Sequence, residues 1–341
     1  MKEHPMADLP GPAFFSSRAA DFTPAKKPCV IRRREITVSL VGEFLAMPPA
    51  NGKREPEEMI AYWFAAMDRE IPNRPDLVVL PEHCDNWGGD HDFAQHRQWL
   101  ARRGAKVLDA FRNYARKHQC YLVYPAHRLL EDGKIANSSI LIDRDGDVIA
   151  VYDKNYPTVG EIDSGVVPGS RPVVADTDFG RLGLMICFDL NFWELMDQYA
   201  RLKPDVLAFS GYCDGGCMRQ AWAMKCRAWL LGCVVGSLPK TITGPSGEIV
   251  RREQSYFRTI TGHVNTNCAV VHLDFNFGSI QAAVNKYGQM VAYNDPGLAG
   301  MVTLYSRDPS LPIEDILREF DIATWDEYYR RSVDARNAAL A

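Results

Sequence analysis

A chain of 341 residues, 46% of them hydrophobic, is long enough to bury a large core, and a formal net charge of only −4 leaves no basic footprint for nucleic acid or an anionic membrane surface. No apolar run reaches bilayer-spanning length, and residues 1–10 carry Lys2, Glu3, His4 and Asp8 with no apolar segment behind them, so neither a membrane span nor a secretory leader is expected. Nine cysteines, odd in number and scattered, do not make a disulfide framework; they fit the reduced, mostly buried thiols of a cytoplasmic protein.

Residues 1–34, rich in Pro, Ala, Ser and charge, read as a flexible N-terminal extension. Regular patterning starts at 36–44 (ITVSLVGEF), whose alternation predicts a strand. An amphipathic helix over 56–71 follows, with Pro56 at its start. Residues 77–81 (LVVLP) are a short apolar strand stopped by proline, 93–118 a single long helix, and 121–125 (YLVYP) another buried strand. Two β-rich runs within 137–152 flank Arg144-Asp145-Gly146-Asp147, and Asp-Gly predicts a hairpin. Then come a strand at 183–187, a helix at 190–202, a strand at 206–210, a helix at 218–231, a strand at 233–236 and a turn at 245–248. Residues 269–273 are expected to be the last core strand, and 276–341 a tail with a helical stretch at 313–323. Strands and helices alternate with hairpins between them, which argues for one α/β layered unit with mixed sheets over 35–275 rather than separate domains.

Three segments place a reactive side chain just after an apolar strand, where a rigid sheet presents catalytic groups. Glu82 follows Val78-Val79-Leu80-Pro81, Lys154 follows Val151-Tyr152-Asp153, and Cys187 follows Leu184-Met185-Ile186. Taken singly, each has a bland reading: a solvated glutamate, an edge-strand lysine that guards against aggregation, a buried structural cysteine. A cysteine on a strand-to-helix turn is the most telling of the three. Backbone N–H groups at a helix start favour a thiolate and can cradle an oxyanion.

Together, LVVLPEH around Glu82, YDKNYPT around Lys154, LGLMICFDLNFWEL around Cys187 and KPDVLAFSG at 203–211 resemble the nitrilase (carbon–nitrogen hydrolase) superfamily, in its amidase- and carbamoylase-like members. The similarity covers roughly 36–273. It implies a four-layer αββα sandwich with mixed sheets, and a Cys-Glu-Lys mechanism. In that mechanism Cys187 attacks, Glu82 moves protons, and Lys154 with the Phe188 N–H holds the oxyanion. Glu161, seven positions past Lys154, matches the family's additional glutamate, with Asp163 a weaker rival. No metal or other cofactor is required. The implied substrate is a small aliphatic amide or N-carbamoyl (ureido) compound, with a nitrile as the alternative, and the implied protein a homo-oligomer.

Where the family commonly carries an arginine after the cysteine, this chain reads Asp189-Leu190-Asn191-Phe192, with Asp189 and Glu194 at the expected carboxylate positions. The loop Tyr212-Cys213-Asp214-Gly215-Gly216-Cys217 is also unusual and is expected to shape specificity. Phe188, Asn191, Tyr212 and His83 are the candidate substrate contacts. Two other functions compete: a Cys-His hydrolase using His263 or His272, and an inert binding subunit of the same fold. Zinc at Cys213, Cys217, Cys226 and Cys233, or at His83, His91 and His96, is disfavoured because the spacing fits no common site.

Overall fold

The structure, a computed structural model, describes residues 34–43, 55–86, 93–253 and 256–341, together with 18, 19, 22, 23 and 31. Most of the expected N-terminal extension, Cys29 and His91 lie outside the described residues. The first half runs β1 (Glu35–Val41), α1 (Pro56–Asp68), β2 (Leu77–Val79), α2 (Phe93–Arg103), α3 (Lys106–His118), β3 (Tyr121–Leu129), β4 (Ile135–Ile142), β5 (Val148–Asp153) and the short α4 (Val159–Asp163). The second half runs β6 (Val173–Thr177), β7 (Gly180–Ile186), α5 (Trp193–Leu202), β8 (Val206–Gly211), α6 (Met218–Cys226), β9 (Trp229–Val234), β10 (Lys240–Thr243), β11 (Ile249–Glu253) and β12 (Thr259–Asn265). Beyond it lie β13 (Cys268–His272), α7 (Phe277–Tyr287), β14 (Val291–Asn294), β15 (Met301–Ser306), α8 (Ile313–Glu319) and α9 (Trp325–Leu340).

Two six-stranded mixed sheets form, in the orders β12-β1-β2-β3-β4-β5 and β11-β10-β9-β8-β7-β6. Each has a parallel centre, β1-β2-β3 in one and β7-β8-β9 in the other. Side-chain alternation explains how they stack. Val38, Leu40, Leu77, Val79 and Val123 of the first sheet meet Leu182, Leu184, Ile186, Val206 and Ala208 of the second in one buried cluster between the sheets. The intervening residues face outward: Val41, Val78 and Leu122 pack under Trp63, Met67 and Phe111 of α1 and α3. On the far side Met185, Leu207 and Phe209 pack under Leu195, Tyr199 and Trp222 of α5 and α6. The result is the expected αββα sandwich. Strands such as VLAF are apolar throughout because both of their faces are covered.

Several boundaries differ from expectation. The long helix over 93–118 breaks at Gly104 (φ +49°), giving α2 and α3. The strand from Tyr121 runs on through Pro125, past the last β2–β3 pair at Val79↔Val123, so proline there interrupts no pairing with β2. The helix starting at Met218 stops at Cys226, with Arg227 left-handed, and Trp229-Leu230-Leu231 belongs to β9; a short apolar run beside a helix does not declare its own class. The last strand of the large sheets is β12, paired antiparallel with β1. Of residues 269–273, all but Leu273 fall instead on β13, in a separate three-stranded sheet β13-β15-β14 with its own core of Val271, Ile280, Val302 and Ile316. Among the described residues no helix is long and apolar enough to cross a membrane.

Candidate active site

The ends of the parallel strands β2 and β8 are tied across the sandwich by a buried hydrogen bond from Ser210 Oγ to the Leu80 carbonyl, 2.7 Å. Glu82 lies two residues past Leu80, in the turn that follows β2. Its turn is fixed from below: Trp63 donates to the Cys84 carbonyl, Trp99 donates to the Asp85 carbonyl at 3.1 Å, and the Asp85 carboxylate is bonded to Arg103 and Tyr124. Lys154 directly follows β5 and Cys187 directly follows β7. His83 (φ 55°) and Cys187 (φ 44°) both adopt the left-handed backbone that non-glycine residues rarely occupy, a strain that clusters at functional sites.

The Lys154 ammonium and the Glu82 carboxylate are each only 2% exposed and meet at 2.9 Å. Lys154 Nζ also donates to Glu161 Oε2 at 2.8 Å and Oε1 at 3.1 Å. Asn137 Nδ2 bridges the two glutamates, at 2.9 Å from Glu82 Oε1 and 2.8 Å from Glu161 Oε1. Glu161 is held by a capping box at the start of α4: Thr158 Oγ1 accepts from the Glu161 N–H, and the Thr158 N–H donates to Glu161 Oε2 at 2.8 Å. Burying a lone ammonium costs several kcal/mol, so the two carboxylates decide its state. Burial works against the Lys154 charge, but Glu82 and Glu161 outweigh it and hold the pKa above the ordinary lysine value. Burial likewise opposes the Glu161 charge, and Lys154 overcomes it, leaving Glu161 below the ordinary glutamate value. Asp163 is exposed at the end of α4, and Lys154 turns to Glu161 instead.

Cys187 opens a short 3-10 turn, Cys187–Asn191, before α5. The turn is pinned by Asp189, which is fully buried and accepts from Tyr152 Oη (2.7 Å), the Ile186 N–H (2.9 Å) and the Tyr156 N–H (3.0 Å). Burial pushes the Asp189 carboxyl up to about 7 against those three donors. The Cys187 thiol is partly exposed, and its sulfur lies 3.8 Å from that of Cys213. The neighbouring thiol, burial and the Glu82 charge raise its pKa, while the Lys154 charge opposes them.

Residues 45–238, more than half of the chain, match the carbon–nitrogen hydrolase family. This protein belongs to that family. It is 28% identical over 158 residues to the deaminated glutathione amidase of Dictyostelium discoideum, covering 41% of this chain and 54% of the relative. It is 28% identical over 148 residues to the omega-amidase NIT3 of Saccharomyces cerevisiae, covering 40% and 51%. The chain thus spans about half the length of these relatives. The crystal structure of Saccharomyces cerevisiae Nit3, a member of the nitrilase superfamily, shares the fold with a TM-score of 0.58 and 20% identity, over 78% of this chain and 99% of that one.

Of the remaining candidate residues of this carbon–nitrogen hydrolase, His83 lies against the buried trio. His83 Nε2 is 3.6 Å from Glu82 Oε1, and the Tyr212 ring stands 5.5 Å from the His83 ring. Phe188 is exposed and meets Phe192 edge-on at 5.3 Å. Asn191 donates to the Phe188 carbonyl at 3.1 Å, so its carboxamide is engaged in the Cys187–Asn191 turn itself. His263 sits on β12 beside Thr37 Oγ1, and His272 stacks on Tyr328 next to the small sheet; neither is bonded to Cys187. Cys226 and Cys233 are buried in α6 and β9, apart from the exposed Cys213 and Cys217. His83, His127 and Glu161 bring ligand-type atoms within 4.8 Å of one another, but the Lys154 ammonium already occupies that carboxylate and opposes a second cation.

Sequence reasoning missed Asn137 and His127. His127 bonds through Nδ1 to His96 Nε2 at 2.9 Å, and burial with His83 and His96 alongside keeps it well below the ordinary histidine value, hence neutral. A signal was available in strand parity. His127 is four residues past Val123 and Asn137 four before Leu141, and both apolar residues face the gap between the sheets.

Proposed function

We propose that this protein hydrolyses the carbon–nitrogen bond of a small aliphatic amide or N-carbamoyl compound through a thioester on Cys187. The observation that carries the reading is the buried Lys154 ammonium shared between Glu82 and Glu161, in electrostatic reach of a partly exposed thiol at a strand end. Glu82 takes the Cys187 proton as sulfur bonds to the carbonyl carbon. The developing oxyanion faces Lys154 and the Phe188 N–H, each such donor being worth about a hundred- to a thousandfold in rate. Collapse expels the amine, which takes the proton from Glu82. Water then attacks the thioester, Glu82 receives its proton, and the carboxylic acid and the free thiol are regenerated. Because both glutamates hold Lys154 charged through neutral pH and beyond, it acts as a fixed charge and not as a proton carrier.

The amidase names of the relatives favour an amide over a nitrile. The exposed aromatic side chains of Phe188 and Tyr212, next in sequence to the two facing thiols, suit an aliphatic substituent. A cytoplasmic homo-oligomer without nucleic-acid or membrane partners, needing no cofactor, completes the reading. Primary amides, N-carbamoyl amino acids and nitriles are assayed for ammonia release with wild type and Cys187→Ala. Release from amides or N-carbamoyl compounds, absent in the variant, is expected. Release from nitriles alone, or undiminished release by Cys187→Ala, would overturn the reading.

A further inference from the structure

Among the described residues, the two exposed thiols, Cys213 and Cys217, share one loop, and the partly exposed ones are Cys187 beside it and Cys268 on β13. Cys84, Cys120, Cys226 and Cys233 are buried, and burial raises the pKa of each, to about 11 at Cys120 and about 12 at Cys226 and Cys233. Full burial keeps oxidants from these four, whereas Cys187 is partly exposed. Cys213 is exposed two residues past the end of β8, and its sulfur faces that of Cys187 at 3.8 Å. The trio of Glu82, Lys154 and Glu161 makes no use of it.

The geometry points to Cys187 and Cys213 as a reversible oxidation site: peroxides, or small disulfides by exchange, convert the pair to an intramolecular disulfide that caps the nucleophile. Starting from 3.8 Å, the sulfurs must close by roughly 1.8 Å to reach bonding distance. The loop is held at Asp214 by the buried Arg219, so the movement falls to the exposed side chain of Cys213. Gly215 (φ 72°) and Gly216 (φ 50°) follow, the first packed on Leu190 and the second with nothing within 4 Å of where its Cβ would stand. Cys187, by contrast, is fixed through Asp189. The chemistry balances in two steps. Cys187, its proton passed to Glu82 as in the turnover proposed above, attacks one peroxide oxygen; the S–O bond forms, the O–O bond breaks, and the leaving hydroxide takes a proton to become water. Cys213 then attacks the sulfenic sulfur; the S–S bond forms, the S–O bond breaks, and a second water leaves. Two thiols are oxidised and one peroxide is reduced. A dithiol reverses the bond by exchange. A disulfide also shields Cys187 from irreversible oxidation to the sulfinic acid.

The effect on turnover rests on the function proposed above; the bond itself does not. The full-length protein is treated with hydrogen peroxide, and intact mass, a non-reducing peptide map and amide turnover are read before and after dithiothreitol. Wild type and a Cys217→Ser control should lose two hydrogens, link the Cys187 and Cys213 peptides, lose turnover and regain it on reduction. Cys213→Ser should instead add oxygen at Cys187 and fail to recover after prolonged exposure. Oxygen added at Cys187 in wild type without the link, or a Cys213–Cys217 link in its place, overturns the proposal and leaves the thioester reading standing. A Cys187–Cys213 link with turnover intact supports the site and overturns the thioester reading.

Discussion

Glu82 and Glu161 hold the same ammonium, yet replacing each with glutamine should do different damage. Glu82 takes both its bonds, from Lys154 Nζ and Asn137 Nδ2, on Oε1. The carbonyl oxygen of a glutamine can keep both, so Glu82→Gln preserves the packing and removes only the charge and the base. Turnover should fall by about a hundredfold or more, the usual loss for a general base, with a small change in stability. Glu161 offers no such choice. Oε2 accepts from Lys154 and the Thr158 N–H, and Oε1 accepts from Lys154 and Asn137. Whichever way a glutamine amide turns, its NH2 meets two donors. A partly buried group facing donors in this way costs about 1–3 kcal/mol. Glu161→Gln should therefore lower the unfolding free energy read from urea curves by about 1–3 kcal/mol, with a lower midpoint, and spare thiol activation more than Glu82→Gln does. The assay for activation is the alkylation rate of Cys187 by a small electrophile, followed by mass. Equal slowing in the two variants, or an unchanged urea midpoint in Glu161→Gln, would refute the division.

Cys187→Ala should abolish turnover with the fold retained, checked by circular dichroism and ammonia release; a variant that still turns over ends the role of this residue as nucleophile. Asp189→Asn faces the same arithmetic as Glu161, since its three partners donate, so a loss of about 1–3 kcal/mol and slower alkylation of Cys187 are expected. Wild-type denaturation and alkylation rates in that variant would mean that the turn holds itself. The Glu161 pKa is lowered by folding, so its stabilisation is complete above the ordinary value of 4.5 and is lost as pH falls through the folded value. Urea curves at neutral pH and below pH 4.5 should show wild type losing an increment that Glu161→Gln lacks, and parallel losses would contradict this. Incubation with EDTA should leave turnover intact; loss restored by zinc would point to His83, His127 and Glu161 as a metal site.

The parts of the site that could be read from sequence are those coded locally. LVV before Glu82 and LMI before Cys187 are buried on both faces, so each appears as an unbroken apolar run that ends where the chemistry begins. Parts coded by distant pairing could not be read. The place of β12 in the first sheet depends on β1, more than 200 positions earlier, as in Ser39↔Thr261, and β13 looks no less like a core strand in isolation. The meeting of Cys187 with Cys213 needs β7 and β8 to be neighbours, and neither motif says so. Gly169 has a similar hidden reason. A Cβ there would stand 2.1 Å from the Asp153 carbonyl, where the Gly169 N–H donates to the Lys154 carbonyl, so the loop closes over the lysine only with glycine.

Lys154 faces the gap between the sheets because of one extra residue. The turn after β4 is fixed by the Asp143 carboxylate, which accepts from the N–H groups of Asp145 and Asp147. From there the β4–β5 pairing skips a position, Ile142↔Val148 and then Leu141↔Ala150, leaving Ile149 unpaired. Val148 packs under the helices, while Ile149 and Ala150 both pack toward the gap; Val151 then faces out and Tyr152 in. Parity is inverted for everything downstream. Asp153 consequently points outward, where Arg128 Nη2 and Ser138 Oγ each bond it at 2.7 Å, and Lys154 takes the inner side with Glu82 and Asn137. With strict alternation the two would exchange faces, placing a carboxylate among carboxylates and an ammonium against Arg128. The bulge at Ile149 thus decides which member of the Asp153-Lys154 pair enters the site, and no motif around Lys154 carries that information.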